Sequence, residues 1–434
     1  MLLALLAPAL WNGFPLIFAD TGGYVSRPFE QTLLLGRSAL YGAFLATGMR
    51  LDFWLPIALQ AAVTVWVVVL TLRIATPYVR PLLAALAIIL LTIFTGLPWY
   101  ASQLMPDIFV FVAVLALYLL AFARDRLRRY EVGGLAALIA LAIAFHMSIL
   151  ALVVALTAAF AFATLLRFPR PRLLLPTLAV VAGLLLGPLS NLAITGRLAF
   201  TPGGTHFAFA RLVQDGIIAR YVKDHCPGAE LAICAYAHEL PSNADGWLWG
   251  WDAPFYKLGG WEGYESEARR IVGETLLLYP GQHLTTAITA AAEQLVMFRT
   301  GEGINARDLH HALPVLKKLA PDAMPRLRAS AQLQDLYDFD WINRVHVSVT
   351  VLALIVLLAA LFPRFGVPPA VRALAATVLL ALGINAAVCG VISNPNDRYQ
   401  GRIVPLAPLA AAIVLLARRR SPQSNLAGAT RLPA

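Results

Sequence analysis

Residues 16–31 read LIFADTGGYVSRPFEQ and follow an apolar run that starts at residue 1. An aspartate, two glycines, a tyrosine and an arginine stand together where a hydrophobic segment ends. What this break means depends on what the apolar run is, and composition answers that. Of 434 residues, 59% are hydrophobic and 13% charged, with a mean hydropathy of +0.71, whereas soluble domains carry about 25% charged residues. The chain reads as an integral membrane protein. Asp20 then sits where a hydrophobic segment leaves the bilayer.

Working outward, apolar runs long enough for a spanning helix, about 17–25 residues, recur at 2–18, 53–72, 81–98, 107–123, 132–146, 149–166, 173–195, 346–363, 370–393 and 402–417. Helix is the economical way to satisfy backbone polar groups in lipid. The expected fold is therefore an all-α polytopic membrane protein with about ten transmembrane helices. Residues 1–195 form an N-terminal transmembrane module of about seven helices with its first external loop at 19–52. Residues 196–345 form a mainly helical cap, and 346–434 hold the last helices and a cytoplasmic tail. The first run lacks a basic flank and a small-residue cleavage site, which argues against a signal peptide. Its shortness suggests a first helix that begins upstream of residue 1.

Arginine in short loops sets the orientation. Arg73, Arg80, RDRLRR at 124–129, RFPRPR at 167–172, Arg364, Arg372 and RRR at 418–420 mark one side as cytoplasmic. The opposite short connections, PWYASQLMPD and FHMS, contain no lysine or arginine. The large loop therefore faces out, into the periplasm of a bacterial inner membrane. Cys226 and Cys234 lie eight apart in that loop and are expected to form a disulfide, as an oxidising compartment allows. Cys389 stands alone in an apolar helix.

Of 34 Lys/Arg and 24 Asp/Glu, the external loop 196–345 holds fourteen and seventeen, leaving twenty basic and seven acidic residues in the membrane part. The seven are Asp20, Glu30, Asp52, Asp107, Asp125, Glu131 and Asp397, and all but Asp125 and Glu131 fall on the external face. A carboxylate near a bilayer is costly, so such positions are functional candidates by default. Structural readings stand beside the functional ones. Asp107 after Pro106 is good helix-start chemistry, His146 with Ser148 makes a short turn whose histidine could bond a carbonyl, and Asp20 could be a turn residue before Thr21-Gly22-Gly23.

The last external connection, ISNPNDRYQGRIVPL at 392–406, places Arg398 and Arg402 four apart. On a helix they share one face and could grip a phosphate with bidentate geometry; snorkelling to headgroups is the structural reading. In the cap, NADGWLWGWDAPFYKLGGW at 243–261 carries Trp247, Trp249, Trp251, Phe255, Tyr256 and Trp261. Docking on the membrane is favoured for these rings over stacking on sugars. The sequence has no P-loop, GxSxG elbow, HExxH or dinucleotide fingerprint. Its basic residues are spread over cytoplasmic loops, which excludes nucleic acid as a partner.

An acidic residue directly after the first span, followed by SRPFEQTLLLGRSALYGAFL at 26–45, and a second acidic residue at the next external connection resemble the GT-C membrane glycosyltransferases. The resemblance covers the layout of the first two hundred residues, with short motifs. It implies a polyprenyl-phosphate-linked sugar donor, a lipid or glycan acceptor in the cell envelope, and residues 27–50 as a pair of juxtamembrane helices. Asp20 matches the first-loop acidic residue near the acceptor hydroxyl, and Asp107 the acidic residue of the second loop. The chain departs from the family in having Asp20-Thr21 where many members have an acidic pair.

The expected site therefore has Asp20 and Asp107 as catalytic carboxylates and Arg27, Arg37, His146, Arg398, Tyr399 and Arg402 as substrate-binding residues. No cofactor is fixed by the pattern; a divalent cation, held by Asp20, Asp107 and His146, is the one candidate. The alternative is a transporter or flippase of lipid-linked glycans, for which internal repeats and polar midplane residues are expected and not found. A structural scaffold would leave the external carboxylates without a cause. The topology has a direct test: a cysteine reporter in 196–345 should be labelled in intact cells by a membrane-impermeant thiol reagent, and one at 124–131 should not. Reversed labelling would turn every site residue to the other face.

Overall fold

A computed structural model describes residues 1–29, 37–75, 79–166, 169–196, 198–200, 203–226 and 228–420. Glu30 and the rest of 30–36, within the expected juxtamembrane pair, lie outside the described residues. The N-terminal half comprises α1 (Leu2–Leu5), α2 (Ala7–Asn12), α3 (Thr21–Ser26), α4 (Ala39–Ala46), α5 (Trp54–Leu72), α6 (Pro81–Phe94), α7 (Leu97–Ala101), α8 (Ile108–Phe122), α9 (Arg129–Phe145), α10 (Met147–Ala163) and α11 (Leu174–Thr195). The large loop contains α12 (Gly204–Gln214), α13 (Ile217–His225), α14 (Ala244–Trp249), α15 (Pro254–Lys257), α16 (Gly260–Gly263), α17 (Glu265–Leu278), α18 (Pro280–Val296), α19 (Ala312–Leu319) and α20 (Met324–Arg328). The chain closes with α21 (Asp340–Leu361), α22 (Pro369–Ile392), α23 (Asp397–Gly401) and α24 (Leu406–Arg420).

Among the described residues five helical stretches are long and apolar enough to cross a membrane: α5, α11, α21, α22 and the Asp397–Arg418 stretch formed by α23 and α24. α6, α8 and α10 are apolar but shorter. The first apolar run is not the continuous helix expected. It folds as α1 and α2, together about 16 Å long at 1.5 Å per residue, and then turns at Gly13, whose φ of 76° suits glycine. Residues beyond it run extended, and Leu16 forms an isolated bridge with Gln103.

α8 is the axis of the molecule. Every residue from Ile108 to Ala121 is buried, as an all-round apolar helix requires, with α5, α9, α10, α11 and α22 packed around it. α3 and α4 pack closely because Gly42 has no side chain; a Cβ there would lie 2.4 Å from the Tyr24 carbonyl. Ser38 starts α4 by accepting the Tyr41 N–H at 3.3 Å.

The large loop has two parts with different partners. α12 to α17 enclose their own core around Phe209, Tyr221, Trp247, Phe255 and Tyr264, and the expected Cys226–Cys234 disulfide is formed at its edge. α18 instead lies along α22, where Gly390 lets the Ala290 carbonyl approach, and α19 packs on α3. Leu309, Leu316, Met324 and Leu327 join the core of the membrane bundle.

The return segment after α20 holds the N-terminal strand-like stretch in place. The Gln332 side chain accepts the Ile17 N–H at 3.0 Å and donates to the Ile17 carbonyl at 2.7 Å, while the Gln332 N–H bonds Asn12 Oδ1 at 2.8 Å. Both Gln332 and Ile17 are buried. Gln332→Leu leaves two backbone groups unsatisfied, each worth about 1–3 kcal/mol. The variant should therefore melt several degrees below wild type in detergent; an unchanged melting temperature would show that this clamp carries no stability.

Candidate functional site

The N-terminus of α8 projects Asp107 into the interior, 1% exposed. The carboxylate does not cap its own helix. Its Oδ1 and Oδ2 accept Nε and Nη2 of Arg398 at 3.2 and 2.8 Å, and Oδ1 also accepts Nη1 of Arg402 at 3.0 Å. The helix-start reading of Asp107 thus gives way to a two-arginine acceptor. Arg398 and Arg402 do share a face: α23 is one turn, and the Arg402 N–H bonds the Arg398 carbonyl.

Arg402 extends the network inward. Its Nη2 donates to Ser148 Oγ at 2.9 Å and reaches Cys389 Sγ at 3.4 Å. Ser148 N donates to His146 Nδ1 at 3.2 Å, so the His146 side chain caps α10 by accepting a backbone N–H, in place of the expected bond to a carbonyl. His146 lines a small pocket with Arg37 and Ser38, and Arg37 also lines the main cavity.

Asp20 behaves differently. It stands before α3 without capping it, and its carboxylate is ion-paired with Arg37 and lies 3.5 Å from Arg398 Nη1. Arg398 is therefore shared by the two carboxylates, and its guanidinium also lies over the Phe18 ring, 3.9 Å from the centroid. Asp20, Arg37, Arg398 and Tyr399 all line one cavity of about 790 Å³. Asp107, His146, Arg402 and Arg27 are absent from its lining. Arg27 is buried beside Gly42 where α3 meets α4. Among the described residues no three His, Cys, Asp or Glu side chains stand close enough to share a metal ion. The proposed Asp20, Asp107 and His146 cation site is thus not assembled, because arginines occupy both carboxylates and Ser148 the imidazole.

The cap also lines the cavity, through Phe207, Asp245, Leu248, Trp249 and Tyr256. The tryptophan cluster therefore divides. Trp247 is in the cap core, Trp251 is 97% exposed, and Trp249 with Tyr256 faces the cavity, so the expected membrane docking does not describe the group as a whole. Sequence reasoning also missed Glu302. It lines the cavity and its Oε2 accepts the Arg398 N–H at 2.6 Å. The readable signal was a carboxylate between Gly301 and Gly303, both with positive φ; Gly303 abuts Phe18, and a Cβ there would collide with the ring.

No protein family, curated protein or solved structure matches this chain. The cavity brings together two guanidinium groups, a partly exposed carboxylate and aromatic rings. Asp107 is then a positioning residue that holds Arg398 by neutralising it in a dry environment. Removing one partner of a buried ion pair costs about 3–5 kcal/mol. Asp107→Asn should therefore lower the melting temperature strongly, whereas Asp20→Asn, in a wet cavity, should not. Equal melting of Asp107→Asn and wild type would overturn the positioning role.

Proposed function

We propose that this protein is a GT-C-type glycosyltransferase that moves a sugar from a polyprenyl-phosphate donor to a lipid or glycan acceptor on the periplasmic face of the bacterial inner membrane. About ten crossings, two more than the five long and three shorter apolar helices supply, belong to the same proposal. The observation that carries it is the pairing of a reachable carboxylate with two arginines in a cavity that aromatic rings also line.

The arrangement suits a single inverting displacement. The acceptor oxygen bonds to the anomeric carbon while its proton passes to Asp20. The bond from that carbon to the phosphate oxygen breaks, and the electron pair leaves with the polyprenyl phosphate. Arg37 and Arg398 meet the charge that the phosphate gains, and planar guanidinium forks suit it better than lysine would. Trp249 and Tyr256 offer flat apolar faces for the sugar ring. Arg402, paired with Asp107 and Ser148, steadies Arg398 from behind and does not bind donor.

A carrier of lipid-linked glycans could use the same arginines but needs no base, so one substitution separates the readings. Asp20→Asn retains size and expression but cannot take a proton, and a general base contributes typically 10²–10⁴ in rate. Transfer from polyprenyl-phosphate sugars in liposomes should fall about 10²-fold or more in this variant, with donor binding retained. Wild-type transfer by Asp20→Asn would overturn the mechanism.

A further inference from the structure

A second cavity, of about 640 Å³, opens between the end of α18 and the first turns of α21. Its lining includes Val296, Phe298, Arg299, Asp340, Asn343 and Arg344. It shares no residue with the cavity that holds Asp20. Among the described residues, no carboxylate lies within ion-pairing distance of the side chain of Arg299 or Arg344; Asp340, four residues before Arg344, does not close a pair with it. Below Arg344 on the same face of α21 come Val351, Leu352, Ile355 and Leu358, all exposed, at the helical spacing of one apolar stripe. α21 is one of the five helices fit to cross a membrane.

We infer that this notch binds the headgroup of a phosphate-bearing membrane lipid, with Arg299 and Arg344 on the phosphate and the acyl chains along the α21 stripe. Charge and position favour this occupant together. Two unpaired guanidinium groups at the head of a lipid-facing stripe match a phosphate at the headgroup level, and Asp340 leaves a net charge of +1, suited to a phosphodiester. The notch wall is tied down, since Asn343 accepts the Thr300 N–H at 2.7 Å and donates to the Thr300 carbonyl at 2.9 Å. It is also linked to the reaction cavity. The Arg299 N–H bonds Asp397 at 2.7 Å, and three residues on Glu302 accepts the Arg398 N–H. A lipid held here would steady the segment that carries Glu302 to the cavity wall.

The test is native mass spectrometry of the full chain in detergent with added phosphatidylglycerol, diacylglycerol or glycerol 3-phosphate. Wild type should retain one phosphatidylglycerol at concentrations where diacylglycerol and glycerol 3-phosphate do not bind. The double variant Arg299→Gln, Arg344→Gln should need at least tenfold more lipid, while Arg129→Gln with Arg364→Gln, which removes two exposed arginines elsewhere, should bind as wild type does. Equal losses in both double variants would reduce the effect to general headgroup attraction and overturn the site. Glycerol 3-phosphate binding as tightly as the lipid would overturn the lipid assignment. Because Arg299 and Arg344 lie outside the Asp20 cavity, either result is independent of the transferase reading.

Discussion

The structure turns on one buried carboxylate accepting two arginines. Asp107 is delivered by α8, the helix buried on every side, and Arg398 and Arg402 by the single turn of α23. Charges this dry are tolerable only when paired. That requirement locks the C-terminal hairpin of the chain against its centre, and it leaves one edge of Arg398 facing the cavity beside Asp20. Asp107 fixes Arg398 together with Glu302, which accepts its N–H, and the Phe18 ring beneath its guanidinium.

Around this pivot the chain lines a cavity from distant segments. Residues 18–26 with Arg37, the cap with Trp249 and Tyr256, the strap with Glu302, His311 and Val315 where α19 begins, and residues 393–399 all contribute. Two stabilising schemes meet there. The cap has its own apolar core and disulfide, whereas α18 and α19 are welded to the membrane bundle. The cavity is lined from both, with carboxylates, arginines and aromatic rings together.

Much of this was legible in the sequence. The apolar runs, spaced by arginine-rich loops, specify a helical membrane protein because lipid permits few other ways to satisfy a backbone. The scarcity of carboxylates singled out Asp20 and Asp107, and the spacing of Arg398 and Arg402 placed them on one face. The pair Cys226 and Cys234 announced its bond. Glu302 was hidden because seventeen acidic residues crowd the external loop, and composition cannot say which of them turns inward.

The sequence by itself determined the class of the fold and the short list of charged residues that lipid makes expensive. Those follow from local rules, namely helical period, transfer cost and loop charge. Only the tertiary structure decided the division of labour. Asp107 lies 291 positions from Arg398 in the chain, and nothing in either neighbourhood states that they meet. The same packing broke the first apolar run into two short helices held by Gln332, sent Trp247 into a core and Trp249 to a cavity, and left Asp20 in the cavity lining while burying Asp107. Contacts between remote segments depend on how whole helices pack, and helix packing is a property of surfaces that no single stretch of sequence contains.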